Sequence, residues 1–448
     1  MPAAGPPLKI ALLGGGGFRA PMIYAGLLRR PHLAIDEVTL HDLDAGRLQR
    51  VAAVMAGMAE ERARRIPIRT TTRIEDALEG AAFVLCAIRV GGMEGRARDE
   101  RLAQDASLLG QETVGAAGIL YALRTVPVMT EIATLAARAA PTAWFLNFTN
   151  PAGVVTEAVQ RVLGERAIGV CDSPSALCDR VGAALGHDPA DLRFAYAGLN
   201  HLGWLTAVRD TAGADLLPAL LDAPDRLLGT EEGRLFGPEW LRAIGAIPNE
   251  YLFYYRRTRT AIETVGATGT TRGETILAQQ RAFYEAPPLP PRQALERWRR
   301  VRSERERTYL QEAGEGVHDA PGGDEGGYAD IALQAMDALS GAHPATLIAN
   351  VANHGALPYL PDDAVVEVPC HVSPAGVRPL VPPPLPAHAR AMVETIKDVE
   401  GAILDASLHG SRDALLRAFA LHPLGGGLDT ARELAAAAGA RARAGTAR

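Results

Sequence analysis

The chain has 448 residues, of which 48% are apolar and 22% charged, with a net charge of −6. That length exceeds one compact core and implies two domains, the composition is that of a folded globular protein, and the acidic balance argues against a dedicated nucleic-acid binder. Four cysteines (Cys86, Cys171, Cys178, Cys370) suggest no disulfide framework, and without a basic-apolar leader or an 18-residue apolar run the chain is expected to be cytoplasmic and free of membrane contact.

In chain order, "KIALLG" reads as a buried strand, Ala20 to Arg30 as a helix, and "EVTLHDLD" as a second strand. "AGRLQRVAAVMAGMAEERARR" carries apolar residues at helical spacing, "AAFVLCAI" is a strand, 125–140 a helix, and "AWFLNFTNP" a strand ending in a polar turn. "AIGVCDSP" is a further buried strand that delivers Cys171 and Asp172 at its carboxyl end. Strands alternating with helices predict an α/β fold, an N-terminal Rossmann-type doubly wound parallel sheet. Beyond residue 190 the pattern changes to α+β. "FAYAGLNHLGWLTAV" predicts antiparallel strands, 215–310 helices, "DAVVEVPCHVSPAGVRPL" a hairpin, and "VPPPLPAHAR" a loop before the last helices.

The run Gly14-Gly15-Gly16-Gly17-Phe18-Arg19 between a strand and a helix lets phosphate approach the backbone at a helix N-terminus. Asp42 ends the next strand, where an acid grips the adenosine ribose and favours NAD over NADP. A strand–helix turn without a ligand is the alternative. Cys171 with His201 in "GLNHLGW" offers a thiolate and an imidazole, donors suited to a borderline divalent metal. Taken singly, Cys171 also reads as a core cysteine, Asp172 as a helix cap and His201 as a satisfied buried histidine. Spacing does not show that they converge.

"NFTNPAG", "CDSP", "GLNHLGW", "PNEYLFYY" and "LPDDAVVEVPC" occur in an order that resembles glycoside hydrolase family 4, and most of all its 6-phospho-β-glucosidase branch, from Lys9 to Pro423. The resemblance implies residues 1–190 as an NAD-binding domain and 191–448 as a domain for substrate, metal and oligomerisation. It also implies a reaction unlike the two-carboxylate glycosidases. NAD⁺ takes hydride from C3 of the sugar, a base removes the proton from C2, and Mn²⁺ or another divalent cation stabilises the enediolate. The aglycone then leaves, water adds, and the hydride returns.

On this resemblance Cys171 and His201 are metal ligands and Tyr251 of "PNEYLFYY" is the C2 base, although the three tyrosines there also read as a packing cluster. A free phenol has a pKa of about 10, so the base needs a neighbouring cation. Asn147 and Asn150 would meet sugar hydroxyls or nicotinamide ribose, and Glu112 would lie in the substrate pocket. Arg96 and Arg272 would hold the sugar phosphate. Asp172 is the acid of the α-specific branch, set in β-like surroundings, and would protonate the leaving group. The implied partner is a phosphorylated glycoside, and the implied assembly a homodimer or homotetramer. An ordinary NAD-dependent sugar-phosphate or 2-hydroxy-acid dehydrogenase is the rival reading, and would accumulate NADH.

Overall fold

The computed structural model describes residues 8–267, 269–306 and 329–445. Among them one twelve-stranded sheet forms the frame. Its strands are β1 (Leu8–Leu13), β2 (Ile35–His41), β3 (Ile68–Thr71), β4 (Phe83–Cys86), β5 (Trp144–Asn147), β6 (Ala167–Gly169), β7 (Arg193–Leu199), β8 (Leu202–Arg209), β9 (Ile247–Pro248), β10 (Ala345–Ala352), β11 (Val365–Ser373) and β12 (Gly376–Pro379). The order is β3-β2-β1-β4-β5-β6-β10-β11-β7-β8-β9, with β12 beside β11.

The first six strands pair in parallel. Alternate side chains of a strand face opposite ways, so a sheet covered on both faces needs apolar residues throughout. Ile10, Leu12, Leu40, Leu85 and Leu146 enter one core, while Ala11, Leu13, Val84, Cys86 and Phe145 enter the other. This is the doubly wound Rossmann-like half expected from the sequence. From β10 onward the pairing is antiparallel, and the expected hairpin of β11 and β12 is present. Residues on either side of position 190 thus belong to one sheet.

The helix expected over 125–140 begins earlier, at Gly115, and runs to Ala139 with Pro127 inside it. By length and hydropathy it could cross a membrane. Instead its apolar side chains lie in the second core with Val154, Val155 and Ile403, and that burial keeps the helix continuous through the proline. The helical stretch expected over 215–310 is a series of helices, five of them between Leu217 and Arg256, and its last four residues lie outside those described. All four cysteines are free.

Candidate active site

The glycine turn is built by backbone geometry. Gly14 and Gly15 both donate their N–H to His41 O, at 2.9 and 2.8 Å, which locks the end of β1 to the end of β2. Gly14 has φ of +80° and a Cβ there would meet Ala87 O at 2.6 Å, so a side chain is excluded twice over. Asp42 accepts from Gly16 N and from Asp44 N, both at 3.2 Å, which sets its carboxylate at the lip of this turn. Tyr284 donates to Gly16 O at 2.8 Å and carries Arg47 over its ring. Phe18, grouped with the cofactor residues on sequence, is a core residue. Its ring packs on Phe283 and Trp298, and its carbonyl accepts from Trp298 Nε1.

At the carboxyl edge of the parallel half, β6 ends just before Cys171, and the β7–β8 turn carries His201. Cys171 Sγ lies 3.6 Å from His201 Nε2. One cation with bonds of about 2.1 Å to nitrogen and 2.3 Å to sulfur spans that gap, so the pair fits a metal site. No cluster of three or more such donors occurs among the described residues. His201 has φ of +62°, the left-handed conformation of the second residue in the two-residue turn closed by the Leu199–Leu202 pair. Burial lowers its pKa to about 3, so the imidazole is neutral, as a ligand must be. Tyr251 stacks on the same ring with centroids 3.6 Å apart and planes within 3°.

Asp172 stands at the N-cap of the helix Ser173–Leu185, yet its side chain makes no capping hydrogen bond. The helix-cap explanation for this residue therefore fails. Asn147 is fully buried. Its amide donates to Thr149 O and Thr156 Oγ1 and accepts from Thr149 N, so it braces the turn that carries the half-buried Asn150.

Behind the Cys-His pair lies a carboxylate that the sequence reading did not single out. Glu367 of β11 accepts from Asn350 Nδ2 at 2.9 Å, Asn200 Nδ2 at 3.0 Å and Tyr196 Oη at 3.1 Å. Asn350 pairs with Gly169, two residues before Cys171, and Asn200 precedes His201. Three donors around one buried carboxylate thus brace the turns that carry Cys171 and His201. Burial outweighs those donors and pushes its pKa up to about 7.

Arg96 and Glu112 converge with two arginines also absent from the sequence reading. Arg96 Nη1 lies 2.5 Å from Glu112, and Arg89 donates to the same carboxylate at 3.0 and 3.4 Å. Glu100 accepts from Arg96 Nε at 2.6 Å and from Gly273 N at 2.6 Å, drawing the start of the helix Arg272–Tyr284 to Arg96. Arg272 in turn donates to Arg305 O at 3.0 Å. Burial, then repulsion from Arg19 and Arg96, holds Arg305 well below the ordinary guanidinium pKa. A guanidinium does not give up its proton in a protein, so this concentration of positive charge favours an incoming anion. These arginines were missed because the chain has 46 Lys and Arg in all, and none is distinctive in one dimension.

Burial alone would raise the Glu112 pKa, but Arg89 and Arg96 outweigh it and bring it down to about 2. A depressed carboxylate pKa contributes stability that is complete above the unfolded value of 4.5 and is lost as pH falls towards 2. The shift corresponds to on the order of 3 kcal/mol. Glu112→Gln is therefore expected to lower the melting temperature at pH 7, with the gap from wild type closing below pH 4.5. Melts at pH 7, 4 and 3 check this; a constant gap would contradict it.

Known proteins resemble this chain along nearly its whole length. The family model described as "Family 4 glycosyl hydrolase" matches residues 9–187, and "Family 4 glycosyl hydrolase C-terminal domain" matches 196–425. A probable 6-phospho-beta-glucosidase of Bacillus subtilis is 30% identical over 434 residues, covering 93% of this chain and 92% of its own. The 6-phospho-alpha-glucosidase 1 of Lacticaseibacillus paracasei is 28% identical, covering 92% of each. Among solved structures, the 6-phospho-beta glucosidase of Thermotoga maritima with manganese, NAD⁺ and glucose-6-phosphate superposes with a TM-score of 0.81 at 26% identity, over 97% of this chain and 98% of that one. A 6-phospho-alpha-glucosidase from gut microorganisms, in complex with NAD and Mn²⁺, gives 0.79 at 25% identity over 97% of both. With both halves of its sheet matched by the family's two models, this chain belongs to glycosyl hydrolase family 4.

Proposed function

We propose that the chain hydrolyses 6-phospho-β-glucosides, with residues 1–190 holding NAD on Gly14–Gly17, Arg19 and Asp42, and 191–448 adding His201, Tyr251 and Arg272. One observation carries this reading. The adjacent residues Glu112 and Thr113 touch, respectively, the arginine cluster and His201, which puts an anion-binding group next to a metal-binding pair. A sugar phosphate calls for both kinds of group, positive charge for its dianion and a cation for its ring hydroxyls.

Arg96 and Arg272, joined by Arg89, take the phosphate through guanidinium hydrogen bonds, and Glu112 keeps Arg89 and Arg96 in place until it arrives. Asn150 orients ring hydroxyls. Cys171 and His201 hold a divalent cation. NAD⁺ and that cation, when bound, supply a reversible hydride acceptor and a counter-charge for anionic oxygen. Tyr251, stacked against the ligand histidine, takes the proton from C2. Asp172 gives a proton to the departing glycosidic oxygen.

Asp172 also supports a second reading, a 6-phospho-α-glucosidase, because its carboxylate is released from helix capping. A single assay separates the readings. Purified protein with NAD⁺, Mn²⁺ and a reductant is given p-nitrophenyl β- and α-glucoside 6-phosphates and their unphosphorylated forms. Phosphate-dependent nitrophenolate release, without lasting NADH, is the expected result, with the β anomer faster. A faster α anomer would favour the second reading, and steady NADH without nitrophenolate would mean a dehydrogenase.

A further inference from the structure

We infer that Gln111 and Thr113 are positioning residues that fix the tautomer of His201, so that its Nε2 lone pair, and not an N–H, faces Cys171. This rests on the proposed role of His201 as a metal ligand. The argument is one of protons. Gln111 Oε1 accepts from the backbone N–H groups of Thr113 at 2.7 Å and Val114 at 3.0 Å. Both of those groups can only donate, which identifies the side-chain atom as the oxygen and not the amide nitrogen.

Thr113 Oγ1 lies 3.1 Å from this oxygen and 2.9 Å from His201 Nδ1. A hydroxyl has one proton to give. Turned towards Nδ1, it would leave two oxygens facing each other at 3.1 Å with no proton between them. The arrangement without repulsion has Thr113 donating to Gln111 and accepting from Nδ1–H. Nε2 is then the unprotonated nitrogen, and it is the one aimed at Cys171 Sγ. The backbone of residues 111–114, held by the Gln111 side chain, thus sets which nitrogen of a histidine 90 positions from Gln111 is available to a cation. Ligand histidines commonly need such a partner, and its loss costs about 10- to 100-fold in metal affinity.

The test titrates Mn²⁺ alone into purified full-length protein and follows the free-ion EPR signal, beside a thermal melt of each variant. Thr113→Val keeps the shape but loses the hydroxyl, and is expected to weaken Mn²⁺ binding by about 10- to 100-fold. Thr113→Ser restores the hydroxyl and is expected to bind like wild type, which separates the proton relay from simple filling of space. His201→Ala is expected to bind no better than Thr113→Val. If His201→Ala weakens binding and Thr113→Val does not, the relay is wrong and the ligand assignment stands. If His201→Ala binds like wild type, the ligand assignment fails and takes the relay with it. Equal weakening in Thr113→Val and Thr113→Ser would also overturn the relay.

Discussion

Tyr251→Phe is expected to lower turnover of a 6-phosphoglucoside by about 10²- to 10⁴-fold, the usual contribution of a positioned proton acceptor, while leaving Mn²⁺ affinity close to that of wild type. The second half of the expectation follows from the stack. The ring of Tyr251 lies flat on His201 at 3.6 Å, and phenylalanine preserves that face while removing only the phenolic oxygen. A purely structural tyrosine would show the opposite pattern, with turnover nearly intact. Exchange at C2 gives an independent reading. In deuterated solvent the wild type should place deuterium at C2 of the product sugar, and the variant should do so far more slowly. Full turnover by Tyr251→Phe would remove it from the chemistry.

Cys171→Ala is expected to cost a similar factor, about 10²- to 10⁴-fold, as the loss of a Lewis acid in a charge-developing reaction does. Its signature differs from that of Tyr251→Phe. Chelator treatment should reduce the wild type to the level of the variant, and added Mn²⁺ should restore only the wild type. The thiol is half-buried and forms no disulfide; its sulfur faces His201 Nε2 at 3.6 Å and is hydrogen-bonded to the Ser173 backbone. A Cys171→Ala protein that is still inactivated by chelator and rescued by Mn²⁺ would show that the cation is held elsewhere.

Cys171 and His201 also show why the site was only partly legible in one dimension. Each lies in a motif that identified its place, one at the end of a predicted parallel strand and the other in a predicted hairpin turn. Their meeting was not legible. In the sheet β6 and β7 are separated by β10 and β11, which come from residues 345–373. The Cys-His distance therefore depends on chain added far downstream and on Glu367, Asn350 and Asn200 bracing the two turns from behind. The same holds for Arg96 and Arg272, joined through Glu100 and Gly273 N. Phe18 shows the reverse case. It sits inside the glycine motif, but the aromatic surface of Phe283 and Trp298 claims it for the core.

The sequence by itself determined what short range can encode. Apolar runs set the buried parallel strands, and the glycines at Gly14–Gly17 set a turn free to take the positive φ seen at Gly14. The turn residues of "GLNHLGW" set the tight reversal that presents His201. Such features depend on backbone dihedrals and on hydrophobic patterning a few residues long, and these act before any distant contact forms. Only the tertiary structure decided which titratable groups share a pocket, which arginines face an anion, and which nitrogen of His201 is free to bind. Those outcomes depend on electrostatics and hydrogen-bond saturation between strands and loops far apart in the chain, where proton placement and burial are fixed by neighbours that no local pattern names.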